Sequence, residues 1–178
     1  MTATPAADPT TDPTTDPTMD AITTAVTLGH EGDATRARED LLAIWADLGT
    51  AGDPLHRCVL AHYLADLYPD AAEALIWDVR ALDAADALTD ERAQQHDASL
   101  QVAGFYPSLH LNIADNLRRL GAFATAADHI GTAEERVASL PPGAHGDMIR
   151  AAIRGVGDAI TARDTAPRPT SPTVGTTE

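Results

Sequence analysis

The chain has 178 residues, 27 acidic against 12 basic, and a formal net charge of −15; at the usual domain size of roughly 100 to 150 residues it has room for one domain and a real core. Such a charge repels phosphate backbones and anionic lipid surfaces, so the expected partner is a neutral-to-basic protein or peptide, with no nucleic acid and no membrane. Every basic residue is arginine, which removes the phosphate-loop lysine, the Schiff-base lysine and the Ser-x-x-Lys pair, and with them three enzyme classes.

The load of Ala, Asp, Arg, Thr and Gly suggests a bacterial source. Cys58 is the single cysteine, so no internal disulfide is possible. The N-terminal stretch holds Pro, Thr and Asp where a secretory signal needs positive charge and then an apolar run, and a cytoplasmic location is expected.

In chain order, residues 1–18 contain the tandem Asp8-Pro9-Thr10-Thr11, Asp12-Pro13-Thr14-Thr15, whose regular proline and lack of apolar side chains predict a disordered arm. A folded domain is expected over 19–163 and a disordered tail over 164–178, where Pro167, Pro169 and Pro172 stand among Thr and Ser. Within the domain the apolar residues recur at helical spacing and no alternating strand pattern appears. Thr18 and Asp20 open a first helix that Gly29 and Gly32 close. A second spans Asp33 to Leu48, and Asp53-Pro54, an acidic cap followed by proline, starts a third that ends near Tyr68-Pro69. A fourth spans Asp70 to Leu88, and a fifth runs from the Thr89 cap to Gly104. Pro107 to Leu120, Ala122 to Leu140 and Asp147 to Ala162 complete eight helices.

The third and sixth helices align without a gap, Leu60-Ala61-His62-Tyr63-Leu64-Ala65-Asp66-Leu67-Tyr68 on Ile113-Ala114-Asp115-Asn116-Leu117-Arg118-Arg119-Leu120-Gly121, and the first fits the same frame through Ala25, Leu28 and Gly32. Ala25, Ala61 and Ala114 are then equivalent, 36 and 53 residues apart, and the longer step follows if the helix after Thr89 is an insertion. After each turn comes a second helix, carrying Ala37, Leu41 and Ile44 in one case and Ala126, Ile130 and Ala133 in the other. This pattern resembles the tetratricopeptide repeat family, whose period is about 34 residues. The resemblance covers about 19–140. It is fullest in the third repeat, through Ala114, Leu117, Gly121, Ala126, Ile130 and Ala133, and thinnest in the middle one, where Tyr68 replaces the turn glycine. His110 stands where the family has a tryptophan. The fold class is therefore all-α: antiparallel helix hairpins stacked as a short solenoid, about eight helices with a capping helix at the C-terminal end. A plain helical bundle is the alternative.

The resemblance further implies a non-enzymatic scaffold or adaptor that binds a partner on the concave wall formed by the first helices. The inward stripe of the sixth helix, beside a core stripe of Leu109, Ile113, Leu117 and Leu120, is Ser108, Asn112, Asp115, Asn116 and Arg119; it contains both asparagines of the chain. An amide can both donate to and accept from a peptide backbone. The matching stripe on the third helix is Leu55, Val59, His62, Tyr63 and Asp66, and on the first Met19, Thr23, Val26 and His30. The partner-binding set is accordingly Asn112, Asp115, Asn116, Arg119, Val59, His62, Tyr63 and Asp66, the amides being exposed. Arg118 and Arg119 alone could clamp a terminal carboxylate, so tail-carboxylate recognition is not expected.

No cofactor and no metal are expected, since the seven histidines form no His-Glu-x-x-His motif. His62 and Asp66, one turn apart, read as a surface ion pair, and Cys58 beside His62 as a core thiol rather than a nucleophile. Trp45 and Trp77 read as interhelical packing. Two other functions stay open: a homodimeric module joined through the apolar side of the last helix (Ile149, Ala152, Ile153, Val156, Ile160) or the Val59 region, and a small-molecule binder using Cys58, His62 and Tyr63.

Overall fold

The computed structural model describes residues 16–168; the Asp-Pro-Thr tandem and the residues after 168 lie outside that range. The described residues form eight α-helices: α1 (Pro17–His30), α2 (Ala34–Leu48), α3 (Pro54–Asp66), α4 (Ala71–Asp86), α5 (Asp90–His96), α6 (Tyr106–Arg119), α7 (Phe123–Glu135) and α8 (Ala144–Thr161), with two single 3₁₀ turns at Val102–Gly104 and Val137–Ser139. No strand occurs among them. No helix among them is long and apolar enough to cross a membrane.

The helix starts follow from local chemistry. Asp16, Asp33, Asp53 and Asp70 each accept a backbone N–H from the first turn of α1, α2, α3 and α4, and Thr89 does so for α5, satisfying donors that a helix end otherwise leaves unpaired. α1 therefore opens at Pro17, inside the stretch expected to be an arm, because Asp16 is its cap. α5 is much shorter than the helix expected to run to Gly104. Asp97 turns its carboxylate onto the amide and hydroxyl of Ser99, both through Oδ1 at 2.8 and 2.7 Å, and this local turn outcompetes helix continuation.

The helices associate as three antiparallel hairpins, α1–α2, α3–α4 and α6–α7. α3 leans on both helices of the first hairpin, α6 packs on α4 beyond its own hairpin partner, and α8 covers α6 and α7 together. This order of contacts is consistent with a helical-repeat stack. The small residues sit where helices approach most closely: Ala25, Ala61, Ala114, Ala37, Ala126 and Ala133 are all 0–1% exposed. Trp45 of α2 and Trp77 of α4 meet edge to face at 5.2 Å, with Arg57 above the first and Arg80 above the second, each at 4.2 Å. Both tryptophans serve interhelical packing.

The first and third hairpins share their turn atom for atom. Gly32 and Gly121 take φ of +103° and +80°, and the next residue donates back five positions, Asp33 N to Leu28 O at 3.0 Å and Ala122 N to Leu117 O at 2.9 Å. That geometry needs a residue at ease with positive φ, hence glycine. The middle hairpin has Tyr68 at that place and keeps the bond three positions back, Tyr68 N to Ala65 O at 3.1 Å, as Gly32 and Gly121 do, but the next residue, Pro69, has no N–H to make the five-back bond. Glycine at the turn thus separates two kinds of hairpin within one chain.

One apolar assignment changes. Leu109 and Ile113 are buried, whereas Leu120 is 48% exposed, because α6 ends at Arg119 and Leu120 already belongs to the turn. The apolar side of α8 (Ile149, Ile153, Val156, Ile160) is buried within the chain, so it is not open to a second copy.

Candidate functional site

The inner ends of α3, α6 and α8 enclose a cleft of about 490 Å³. α3 supplies Cys58, Val59, His62, Tyr63 and Asp66, one face of the helix at spacings of three and four; α6 supplies Leu109 and Asn112, and α8 supplies His145, Met148 and Ile149. α3 and α6 come from successive hairpins, which is why their equivalent faces share one wall. Beside the cleft lies a polar notch of about 140 Å³, lined among others by Asp66, Asp78, Asn112, Asp115, Asn116 and Arg119. Asp66, Asn112 and Arg168 border both.

All eight residues expected at the binding face line one or both of these depressions. Val59, His62 and Tyr63 lie in the cleft alone, Asp66 and Asn112 at the junction, and Asp115, Asn116 and Arg119 in the notch alone. Their exposure differs from expectation. Asn116 is 6% and Asp115 7% exposed: Asn116 faces Asp78 of α4, and Asp115 is covered by Arg118 and Arg168. Asn116 donates to Asp78 Oδ2 at 2.7 Å, and Asn112 to Asp78 Oδ1 at 3.5 Å. Arg119 donates to Asn116 Oδ1 at 3.2 Å and to the carbonyl of Pro69 at 2.6 Å. The two asparagines hold a buried carboxylate; of the pair, Asn112 is the one that also borders the cleft.

Asp78 is the residue the sequence did not single out, and Arg118, expected as a candidate clamp, is buried. Asp78 is 1% exposed, and burial, followed by the charge of Asp66, pushes its carboxyl up to about 7 against the opposing bonds from Asn112 and Asn116. A signal existed: Asp78 interrupts a small-residue stripe, Ala74, Ala81 and Ala85, all buried on α4. A lone acid in that register needs donors from a neighbouring helix. Arg118, also 1% exposed, reaches Asp115 Oδ1 through Nε at 3.1 Å and Nη2 at 2.7 Å. It donates too to the carbonyls of Asp164 and Ala166, at 2.5 and 2.9 Å. Neither Arg118 nor Arg119 is free to clamp a carboxylate.

His62 and Asp66 form no ion pair within the described residues. His62 Nδ1 is shielded from water and has no hydrogen-bond partner; burial, helped by His145 and opposed by Asp66, holds this imidazole below the usual histidine range. A neutral ring can donate or accept at Nδ1 according to its tautomer. Burial alone pushes the Cys58 thiol up to about 12, which leaves it protonated and weakly nucleophilic at neutral pH. No group of three or more His, Cys, Asp or Glu side chains among the described residues is placed to hold a metal ion.

No family model matches the chain, and neither does any curated protein or solved structure.

Proposed function

We propose that the chain is a non-catalytic scaffold or adaptor of tetratricopeptide-like design, acting in a bacterial cytoplasm, that holds a neutral-to-basic protein or peptide on the concave side of its hairpin stack. The observation that carries this reading is the α3–α6–α8 cleft. Apolar side chains line one part of it, His62 stands in its wall, and it shares Asp66, Asn112 and Arg168 with a notch of carboxylates, amides and guanidinia. Apolar walls with a few convergent polar groups suit a bound segment, and the carboxylates together with the net charge of −15 favour basic chemistry in it. The matched glycine turns and the buried alanines support the repeat design. Against a thiol nucleophile stands the protonated state of Cys58.

Affinity capture from the native cytoplasm with the wild-type chain and with Met148→Arg tests the reading. Met148 borders the cleft and is 59% exposed, so the variant folds while a long cation projects into the cleft. Calorimetry on the captured partner should show at least about tenfold weaker binding, the loss of about 1.4 kcal/mol. Unchanged affinity moves the site off the concave face.

A second reading, self-association, is favoured by Ile76 and Val79, 53% and 50% exposed and three residues apart on the outer side of α4. Light scattering on Ile76→Glu separates it: a dimer that this substitution dissolves supports it, and a monomeric wild type excludes it.

A further inference from the structure

Past α8 the chain reverses at Arg163, whose φ is +53°, and Asp164 N closes the turn on the carbonyl of Ala159 at 2.9 Å. Residues 164–168 then lie against α6 as a strap. Every residue in the strap is exposed, and hydrogen bonds to Arg118 and Asp115 of α6 tie it down. Arg118, buried on α6, takes the carbonyls of Asp164 and Ala166, at 2.5 and 2.9 Å, two residues apart as an extended segment presents them. Such bonds read a peptide backbone whatever its side chains. Arg168 Nε donates to Asp115 Oδ2 at 3.1 Å, and its side chain, 42% exposed, borders both notch and cleft.

Three carboxylates, Asp66, Asp78 and Asp115, and two guanidinia, Arg119 and Arg168, line the notch, and Arg119 is spent on Asn116 and the carbonyl of Pro69. Asp115 is shared with Arg118, while Asp66 and Asp78 form no ion pair among the described residues. A partly exposed pair such as Arg168–Asp115 is held weakly, and a strap with no buried side chain opens easily.

We infer that the notch between α3, α4 and α6 is a recognition site for an arginine carried on an extended segment, that Arg168 and its strap occupy it in the free chain, and that a partner enters by displacing them. This deepens the concave-face reading and rests on it. A guanidinium suits the place because its fixed fork of donors can meet two carboxylates at once, as a compact ammonium cannot.

The test is fluorescence anisotropy with a labelled, amidated peptide of the strap's own sequence, Asp-Thr-Ala-Pro-Arg, added to the full wild-type chain and to full-length Arg168→Ala. Arg168 is exposed, and matching melting temperatures confirm that the variant folds. The variant should bind the peptide about tenfold more tightly than the wild type, whose own arginine competes. A peptide with Gln in place of Arg should lose about tenfold or more on the variant, the scale of a charge-assisted hydrogen bond. No binding to the variant, or equal binding of the Arg and Gln peptides, overturns the guanidinium site; equal binding by wild type and variant overturns the competing strap. Because no partner is needed, failure here with Met148→Arg still weakening partner affinity removes this inference alone, whereas a partner indifferent to Met148→Arg removes the concave-face reading.

Discussion

His56 of α3 and Asp16, the cap of α1, meet at 2.7 Å across 40 residues of sequence. Arg92 of α5 joins them, donating to Asp53 at 2.6 Å and to Asp16 at 3.5 Å. The cluster ties the first hairpin, the second and α5 together, using caps that the helices already require. Burial works against ionisation of Asp16 and Asp53, but bonds from Met19 and His56 in the one case, and Arg92 and His56 in the other, outweigh it and hold both carboxyls below their usual range. A depressed acid stabilises the fold above its unfolded pKa, near 4, and loses that contribution as the pH falls through the folded value. Asp16→Asn, which keeps a capping oxygen, should therefore cost roughly 1 to 2 kcal/mol at pH 7 and progressively less as the pH falls below about 4, read from denaturant melts. A cost that does not change with pH contradicts the charge account.

Asp78 titrates in the opposite sense. Its folded pKa, about 7, lies above the unfolded value, so the native chain binds the extra proton and stability falls as the pH rises from about 4 towards 7. At about 1.4 kcal/mol per unit the upper limit is about 4 kcal/mol. Asp78→Asn should thus gain stability relative to wild type between pH 5 and pH 8. A pH-independent difference would show that the carboxylate is not desolvated.

Asn116→Ala should destabilise by about 1 to 3 kcal/mol, the cost of leaving a buried acceptor without its donor, and Asn112→Ala by less, since its bond to Asp78 is long. The exposed-amide expectation implied that both would be neutral. Thermal denaturation of the two single variants decides: equal, negligible shifts restore an exposed stripe.

Ala114→Leu and Ala126→Leu should each cost about 1 to 3 kcal/mol by overpacking the α6–α7 seam. Two neutral results would place the closest approach of those helices elsewhere.

Much of this fold is legible in single residues. The Asp33, Asp53, Asp70 and Thr89 caps and the glycines at 32 and 121 mark helix ends within a few positions, because capping and positive φ are local chemistry. The face of α3 that lines the cleft was readable from its spacing and from the equivalence of Ala61 with Ala114. The burial of Asn116 was not, since it depends on which face of α6 leans on α4 and on Asp78, 38 residues away. Nor was the strap: Arg118 grips backbone carbonyls, and a carbonyl carries no sequence signature. The Pro- and Thr-rich composition after Asp164 points to disorder when judged by apolar residues, yet residues 164–168 are held on α6 by its buried donor Arg118.

The central claim is that the concave cleft, and not the outer surface, carries the partner. Placing a photo-crosslinking amino acid at Val59, within the cleft, and separately at Ile76 on the outer side of α4 tests it most directly, with the adducts formed in native cytoplasm mapped by mass spectrometry. The account predicts a defined adduct from position 59, through a basic segment of the partner, and none from position 76. A single adduct from position 76 with none from position 59 would contradict it.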